Sequence, residues 1–578
     1  MFSIRATKSL GSLLACLPWL VFPASLVAPL CGGIARGAGD RGSLGNHHAV
    51  ATDSPLATEA ALAVLARGGD AVDAAVAAAT TLGVVAPAGS GLGGGGFALV
   101  WRAKDKQVTT YDFRETAPRA FDGAAFEARA TASDAQKAET RGMLVGVPGE
   151  VLGLTALHAK YGRLTLADDV AFAATLATQG FPMGRYLAEV LKNDGLRIAS
   201  HPSIGPLFFE GSILRSRSAV VKREALGRTL VRVGREGASA FYEGPIAAHM
   251  VEAARRWGSS LTMDDLKARA VDERAAASRT FGKRAVYTMG SPSAGGLMLL
   301  EALTLYGADA SSSLSKVGAG SSAYLHAVAE TMRGSLSDRL TSVGDPGTDP
   351  TATQRFEALL DSARLERRAA LHNPRRAHAA TDDAARERGT THLIVADDAG
   401  NIVSLTTTVN GPFGARIETE DGVLLNDELD DFTTRAEAKL FLSDLQSPNR
   451  PRALARPVSS MMPTLVLEDG IPLLVLGGSG GRRIATACTQ VALRALIFGD
   501  DAAEAIAAPR VHVGAGVELL LERDIPADVE NALRARGNDV KRDPMKAAVQ
   551  AMRFTGEGAE RTIQAASDPR KYGAARAN

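Results

Sequence analysis

Apolar and polar positions alternate most clearly between Thr390 and Asp431. There Leu393, Val395, Ile402, Leu405 and Val409 supply apolar rungs around a turn at Asp398-Ala399-Gly400-Asn401. That period of two predicts an antiparallel hairpin opened by Thr390. A three-residue loop with Gly400 in the left-handed conformation places Thr408 opposite Thr390 and Asn410 one diagonal away. A slip of one residue would send these side chains to opposite faces. Taken alone, Thr406, Thr407 and Thr408 are accounted for by the strand preference of β-branched residues.

Elsewhere the pattern lengthens to the helical period. Ser54-Pro55 reads as a helix start, with serine as cap and proline in the first turn, and Gly68-Gly69 as its stop. An alanine-rich helix is expected from Ala71 to Val85, its small side chains suited to close packing on a sheet. Strands are expected in GSGLGGGGFALVWRA, VTTYDFRE and IPLLVL. Further helices are expected near Gly153–Lys160, Leu164–Thr178, Ala238–Trp257, Met298–Leu305 and Arg483–Phe498. The mixture indicates an α/β or α+β protein. Between Arg364 and Gly389 a charged run, poor in large apolar residues and interrupted by Pro374, reads as an exposed linker that ends at Thr390.

A chain of 578 residues with 46% hydrophobic content buries a large core, and a net charge of +1 without a basic stripe gives no reason to expect nucleic acid. Arg5 and Lys8 precede an apolar stretch from Leu10 to Leu30, broken by Pro18, Pro23 and Pro29, which reads as a secretory signal followed by a small-residue segment. A periplasmic or secreted location follows. A lipoprotein through Cys31 ranks second, since bulky Leu30 precedes it. With only Cys16, Cys31 and Cys488, and neither CxxC nor HExxH, no disulfide framework or metal site is expected.

Two glycine motifs compete for attention. Gly91, Gly93 and Gly96 satisfy GxGxxG, but a strand follows them instead of the helix that would hold a pyrophosphate, so tight turns and close packing are the expected reason for them. Gly477-Gly478-Ser479-Gly480-Gly481 satisfies GxSxG between a strand and a helix, as a nucleophile elbow does. A serine triad there would need His512, the only downstream histidine, with Asp500 or Asp501. The alternative is that successive glycine N–H groups form an anion-binding nest suited to an oxyanion.

The segments ATDSPLATEAALAVLARGGDAVDAAVAA, GLGGGGFALV, YDFRETAP, VGVPGEVLGL, GASAFYEGPIA, SPSAGGLMLLEAL, AYLHAVAETMR, TTHLIVAD, LLNDELDDF, RPVSSMMPT, GGSGG and ASDPR, in that order, strongly resemble the γ-glutamyltranspeptidase (glutathione hydrolase) family of N-terminal nucleophile hydrolases. The resemblance implies an α+β fold, a four-layer αββα sandwich forming one composite domain from two subunits. After a signal and N-terminal segment at 1–38 come a large subunit at 39–389 and a small catalytic subunit at 390–578. It implies self-cleavage between Gly389 and Thr390, with Thr390 then the nucleophile and its freed α-amino group the base. The implied donors are glutathione and other γ-glutamyl compounds, and the implied acceptors are water, amino acids and dipeptides. No cofactor is implied.

Residue by residue, the resemblance makes Arg114, Ser459 and Ser460 partners of the donor α-carboxylate, and Asn410, Glu428 and Asp431 partners of its ammonium. Gly480 and Gly481 become the oxyanion hole and Thr408 a neighbour of the nucleophile, while His392 is expected to pack or orient. Asp427 stands where the family commonly has asparagine, and TTRAEAKLFLSDLQSPNRPRALA lacks the glycine-rich, aromatic-bearing lid familiar in relatives; its KLFLSDL core reads as a short helix. Two other readings remain: an acylase of the same fold acting on glutaryl-type β-lactam side chains or poly-γ-glutamate, and a secreted binding protein that does not mature.

Overall fold

The computed structural model describes residues 42–380, 389–440 and 447–578. Its centre is a pair of seven-stranded antiparallel sheets. One runs, edge to edge, through Ala574–Ala577, Ala49–Thr52, Gly389–Ala396, Ile402–Asn410, Gly95–Arg102, Gln107–Asp112 and Asp272–Ala275. The other runs through Ser43–Gly45, Thr562–Ser567, Ala548–Thr555, Ile471–Ser479, Thr464–Glu468, Arg284–Thr288 and Ala277–Phe281. In both, strands that precede Gly389 in the sequence are hydrogen-bonded to strands that follow it.

Alternation along the predicted hairpin assigns its two faces. Ile394, Ala396 and Ile402 point between the sheets, where they meet Leu465, Val475, Met552 and Ile563 in one buried cluster. Leu393, Val395, Val403 and Leu405 point the other way, onto the helices Pro55–Ala66, Ala71–Val85 and Glu150–Tyr161. The second sheet is covered by Gly295–Tyr306, Ser322–Ser342 and Arg483–Leu493. Helix, sheet, sheet and helix make the four layers that the resemblance implied.

The alanine-rich helix occupies Ala71–Val85, and every one of its residues is buried. Its start is fixed by Asp70, which accepts from the Val72 and Asp73 N–H groups, while the Asp73 carboxylate accepts from the Asp70 N–H in return. Side chains no larger than leucine let it lie close to the hairpin beneath it.

Several local expectations need correction. Ser54 precedes the helix Pro55–Ala66 but makes no side-chain cap. The expected helix over 238–257 is two, Ser239–Tyr242 and Gly244–Arg255, because Gly244 adopts a left-handed φ of +70°. The charged run begins as the helix Ser362–Ala370, with Leu365 buried and both Arg364 and Arg368 paired to Asp338, so its first turns are docked structure. Arginine stems and ion pairs hold a segment that has too few apolar residues to signal burial. The signal segment, the last part of the linker at 381–388 and most of the KLFLSDL core lie outside the described residues; a short helix at Arg435–Ala438 precedes that core.

Candidate active site

Thr390 sits where the hairpin ladder breaks register. Thr391 faces Thr407, His392 faces Thr406 and Leu393 faces Leu405, with Gly400 at φ +82°, as the three-residue loop requires. One step further, Gly389 faces Asn410, so the register slips across Thr390. The bulge aims side chains at the Gly389–Thr390 peptide. The Thr390 hydroxyl donates to the Gly389 carbonyl oxygen, and the Thr408 hydroxyl donates to the same oxygen at 2.7 Å. Glycine is required at 389, since a Cβ there would lie 2.5 Å from the Asn410 carbonyl oxygen and 2.8 Å from that of Ala88.

A chain of hydrogen bonds leads outward from this peptide. The Asn410 N–H donates to the Thr408 hydroxyl at 2.8 Å, with Asn410 in a left-handed conformation (φ 68°) that asparagine tolerates better than most residues. Its side-chain amide donates to the Asp431 carboxylate and to the Asp427 carbonyl, each at 3.2 Å. Asp431 accepts from Arg114 at 2.9 Å, and Glu428 accepts from the same guanidinium. Arg114 is 1% exposed; its Nε donates to the Pro457 carbonyl at 2.7 Å and its Nη2 to that of Val458 at 3.3 Å. Those carbonyls immediately precede Ser459 and Ser460, both buried, which brings the serines next to the guanidinium by sequence. The Arg114 guanidinium thus sits among the two carboxylates assigned to the donor ammonium.

Asn426 positions the acidic loop. Its Nδ2 donates to the Gly93 and Gly146 carbonyls at 2.8 and 2.9 Å, and its Oδ1 accepts from the Gly146 and Glu428 N–H groups. The glycine-rich stretch is packed here as expected: a Cβ at Gly93 would fall 2.1 Å from the Leu424 carbonyl oxygen, and one at Gly94 1.9 Å from that of Thr408. These glycines serve backbone approach, in line with the strand that follows them.

The GGSGG turn reaches the nucleophile through a residue that sequence reasoning did not single out. Lys571 is 2% exposed, and its ammonium donates to the Thr390 carbonyl at 2.8 Å and to the Ser479 hydroxyl at 2.7 Å. Ser479 in turn donates to Asp53 at 2.5 Å. Burial pushes the Asp53 carboxyl up, against the opposing pull of Lys571, Ser479 and Gln550. Gly480 and Gly481 follow in positive-φ conformations of 130° and 64°, and a Cβ at Gly480 would meet Ala547 Cα at 2.7 Å. Lys571 had a faint signal, as a lysine directly after the ASDPR segment.

The serine triad does not assemble. His512 bonds the Thr486 hydroxyl at 3.0 Å, Asp500 is paired to Arg494, and Asp501 caps the helix Ala502–Ala507. His392 behaves as a packing residue. Its two ring nitrogens meet Thr406 at 2.8 Å and Ser404 at 3.2 Å, it lies under Gly477, and burial pushes it down to about 3, so the ring is neutral. Two further acids lie nearby, Glu115 beside Arg114 and Glu150 beside Glu115: burial pushes both up to about 8, which keeps them protonated at neutral pH.

A paired-sheet sandwich with a threonine hydroxyl turned onto its own preceding carbonyl defines an N-terminal nucleophile hydrolase. Among solved structures, the cephalosporin acylase from Bacillus halodurans superposes with a TM-score of 0.82, covering 94% of this chain and 98% of its own at 22% identity, a likeness of fold. A Helicobacter pylori γ-glutamyltranspeptidase chain is 30% identical over 55% of this chain and 90% of its own, with a TM-score of 0.50. The family model described as gamma-glutamyltranspeptidase matches residues 57–578. The glutathione hydrolase proenzyme of Escherichia coli is 32% identical over 537 residues, 90% of each chain, and that of Bacillus subtilis is 29% identical over 552 residues, 92% of each. The chain belongs to the γ-glutamyltranspeptidase family.

Proposed function

We propose that this protein transfers the γ-glutamyl group of glutathione or a related donor to water, or to an amino acid or dipeptide, through an ester on Thr390 formed after the chain cuts itself between Gly389 and Thr390. The observation that carries the reading is the pair of hydroxyls, Thr390 and Thr408, on the Gly389 carbonyl oxygen. One belongs to the residue whose oxygen attacks that carbonyl, and the other polarises the bond.

In the cleavage step the Thr390 oxygen adds to the Gly389 carbonyl carbon. The C–N bond breaks, and the nitrogen takes up a proton to become the Thr390 amine. Water then hydrolyses the resulting ester, leaving a carboxylate on Gly389 and a free N-terminal threonine. That amine accepts the hydroxyl proton in the second reaction, which a threonine requires because it is a weak nucleophile at its own pKa. Attack on the donor amide forms the γ-glutamyl ester and releases the amine, which takes the proton. Water or an acceptor amine then removes the glutamyl group.

Arg114 suits the donor α-carboxylate, with Ser459 and Ser460 beside it, since a guanidinium gives two charge-assisted bonds to a carboxylate. Asn410, Glu428 and Asp431 suit its ammonium. The oxyanion is assigned to Gly480 and Gly481. Having carboxylates for an ammonium favours a true α-amino acid head over a glutaryl side chain. The reading extends to a heterodimer of a large and a small subunit, and to a periplasmic or secreted site of action, supported by Arg5, Lys8 and the apolar stretch that follows them.

A denaturing gel of the purified chain, with N-terminal sequencing of the smaller fragment, tests the first step. An uncut chain, or a fragment starting elsewhere than Thr390, overturns it. Release of p-nitroaniline from a γ-glutamyl anilide, with and without glycylglycine, tests the second.

A further inference from the structure

A cavity of about 810 Å³ opens beside the acidic loop, and its walls carry six cationic side chains: Arg129, Lys137, Arg141, Arg197, Arg256 and Arg416. Three acids line it, Asp134, Glu418 and Asp427, and two of these are compromised as counter-charges. Glu418 lies 3.8 Å from Arg223, a buried arginine outside the cavity wall. Asp427 is pushed up to about 7, chiefly by burial and then by Asp430, so it is about half ionised at neutral pH. Arg256 is paired to Glu252 at 2.9 Å and Arg129 lies 4.0 Å from Asp430, so the wall is net positive through its other four cations.

Two of the cations stand close enough to oppose each other. Burial, and then the charge of Arg416, push Arg141 down to about 10. Arg141 is held in place all the same, with its guanidinium carbon 3.2 Å from the centre of the Trp257 ring and one N–H on the Ala138 carbonyl. Its Nε is buried without a hydrogen-bond partner. Arg416 is fixed by its backbone: it has a positive φ of 54°, and its carbonyl accepts from, or faces, His201 Nε2 at 2.6 Å. Like charges desolvated together destabilise a site, and an anion between them reverses the sign of that interaction.

The cavity shares a wall with the candidate active site. Asp427 lines it, while the Asp427 carbonyl accepts from the Asn410 amide and its carboxylate from the Gly411 N–H at 2.7 Å. The next residue, Glu428, bonds Arg114. Gly414 and Ala415, on the loop that leaves Asn410, line the cavity as well. Asn410 links the cavity to that site, bonding Asp427 on the cavity wall and the Thr408 hydroxyl beside the Gly389–Thr390 peptide, and the volume suits a small peptide.

We propose that this cavity is a carboxylate-binding subsite for the leaving group or acceptor, and that it favours an acidic peptide carrying two or more carboxylates, read by Arg141 and Arg416. Guanidinium groups are the side chains best fitted to that task, since each offers a planar fork matched to a carboxylate. The inference rests on γ-glutamyl transfer as the reaction of the site. The chemistry of the transfer is unchanged: the amide nitrogen still leaves as an amine with one added proton, and the subsite holds the carboxylates that the amine carries.

The test compares γ-glutamyl-glutamate with γ-glutamyl-glutamine on the full matured protein, a pair that differs by one carboxylate. The expected result is a kcat/KM at least tenfold higher for the acidic donor at low salt, shrinking as salt is added. In Arg416→Gln, and separately in Arg141→Gln, KM for γ-glutamyl-glutamate should rise about tenfold while turnover of γ-glutamyl-p-nitroanilide holds. Equal constants for the two dipeptides in the unmodified protein would overturn the subsite, as would variants that slow dipeptides and anilide alike. Should no γ-glutamyl compound be turned over, the proposed reaction fails and calorimetry still decides the subsite. Triglutamate should then bind and triglutamine should not, with the heat lost in Arg416→Gln; no triglutamate heat overturns it.

Discussion

The Thr408 hydroxyl donates to the Gly389 carbonyl oxygen at 2.7 Å, on the bond whose cleavage would free Thr390. It also accepts from the Asn410 N–H, so its own orientation is fixed from behind. Replacing it by valine keeps the β-branch and removes the donor. Losing one oxyanion donor costs about 3 kcal/mol of transition-state stabilisation, or roughly a hundredfold in rate. A gel time course of Thr408→Val should show maturation slowed by about that factor, and wild-type timing would show that the hydroxyl is not used.

Thr390→Ala removes the attacking atom without disturbing the buried strand. The variant should fold, stay a single chain and show no γ-glutamyl turnover. Fragments appearing at the wild-type rate would place the nucleophile elsewhere.

Lys571 holds the Thr390 carbonyl and the Ser479 hydroxyl with one ammonium. Lys571→Met preserves the stem and deletes the charge, leaving Asp53 buried without its cation. Cleavage and turnover should both fall at least tenfold, with Lys571→Arg recovering part of each. A matured Lys571→Met enzyme with normal kcat would reduce the contact to a structural one.

Arg114 is the shared partner of Glu428 and Asp431. Removing one member of a buried ion cluster typically costs about 3–5 kcal/mol, because the remaining charges lose their compensation. Arg114→Met should therefore lower the melting temperature as well as kcat/KM for donors. A loss of donor capture with unchanged stability would mean that the two carboxylates find another partner.

Asp427 gives a pH signature. Its folded pKa is raised to about 7, chiefly by burial, so it carries a proton in the folded chain at pH 5 but not in the unfolded one. The sign follows: folding is least penalised below the ordinary carboxylate range near 4, and stability drains away as pH rises through 7. Asp427→Asn removes this dependence. Melting curves should show the variant gaining on the wild type from pH 5 to 8, and parallel curves would refute the shift.

The hairpin was legible in the sequence down to its register, because a period of two and a glycine at one turn position leave little freedom. What the pattern did not reveal was the slip at Thr390, where Gly389 faces Asn410 and has no room for a side chain beside the Asn410 and Ala88 carbonyls. Arg114, Asn410, Glu428 and Asp431 were picked out as candidates through family motifs, yet their mutual pairing was not legible, since they come together only when the 426–431 loop is anchored by Asn426. Lys571 and Asp53 escaped for the same reason: each is an ordinary residue until the C-terminal segment lies beside the nucleophile. The charged run at 364–370 misled because ion pairs, which carry no periodic signal, dock it.

Both sheets interleave strands from the two sides of the Gly389–Thr390 bond, with Ala49–Thr52 lying between Ala574–Ala577 and Gly389–Ala396. A chain that folds whole and is cut afterwards keeps a topology that its fragments reached only while tethered. Unfolding then erases information that the sequence of either fragment no longer carries, and finding the partner again becomes a search that depends on dilution. Cleavage at that bond would make the fold a record of its own history.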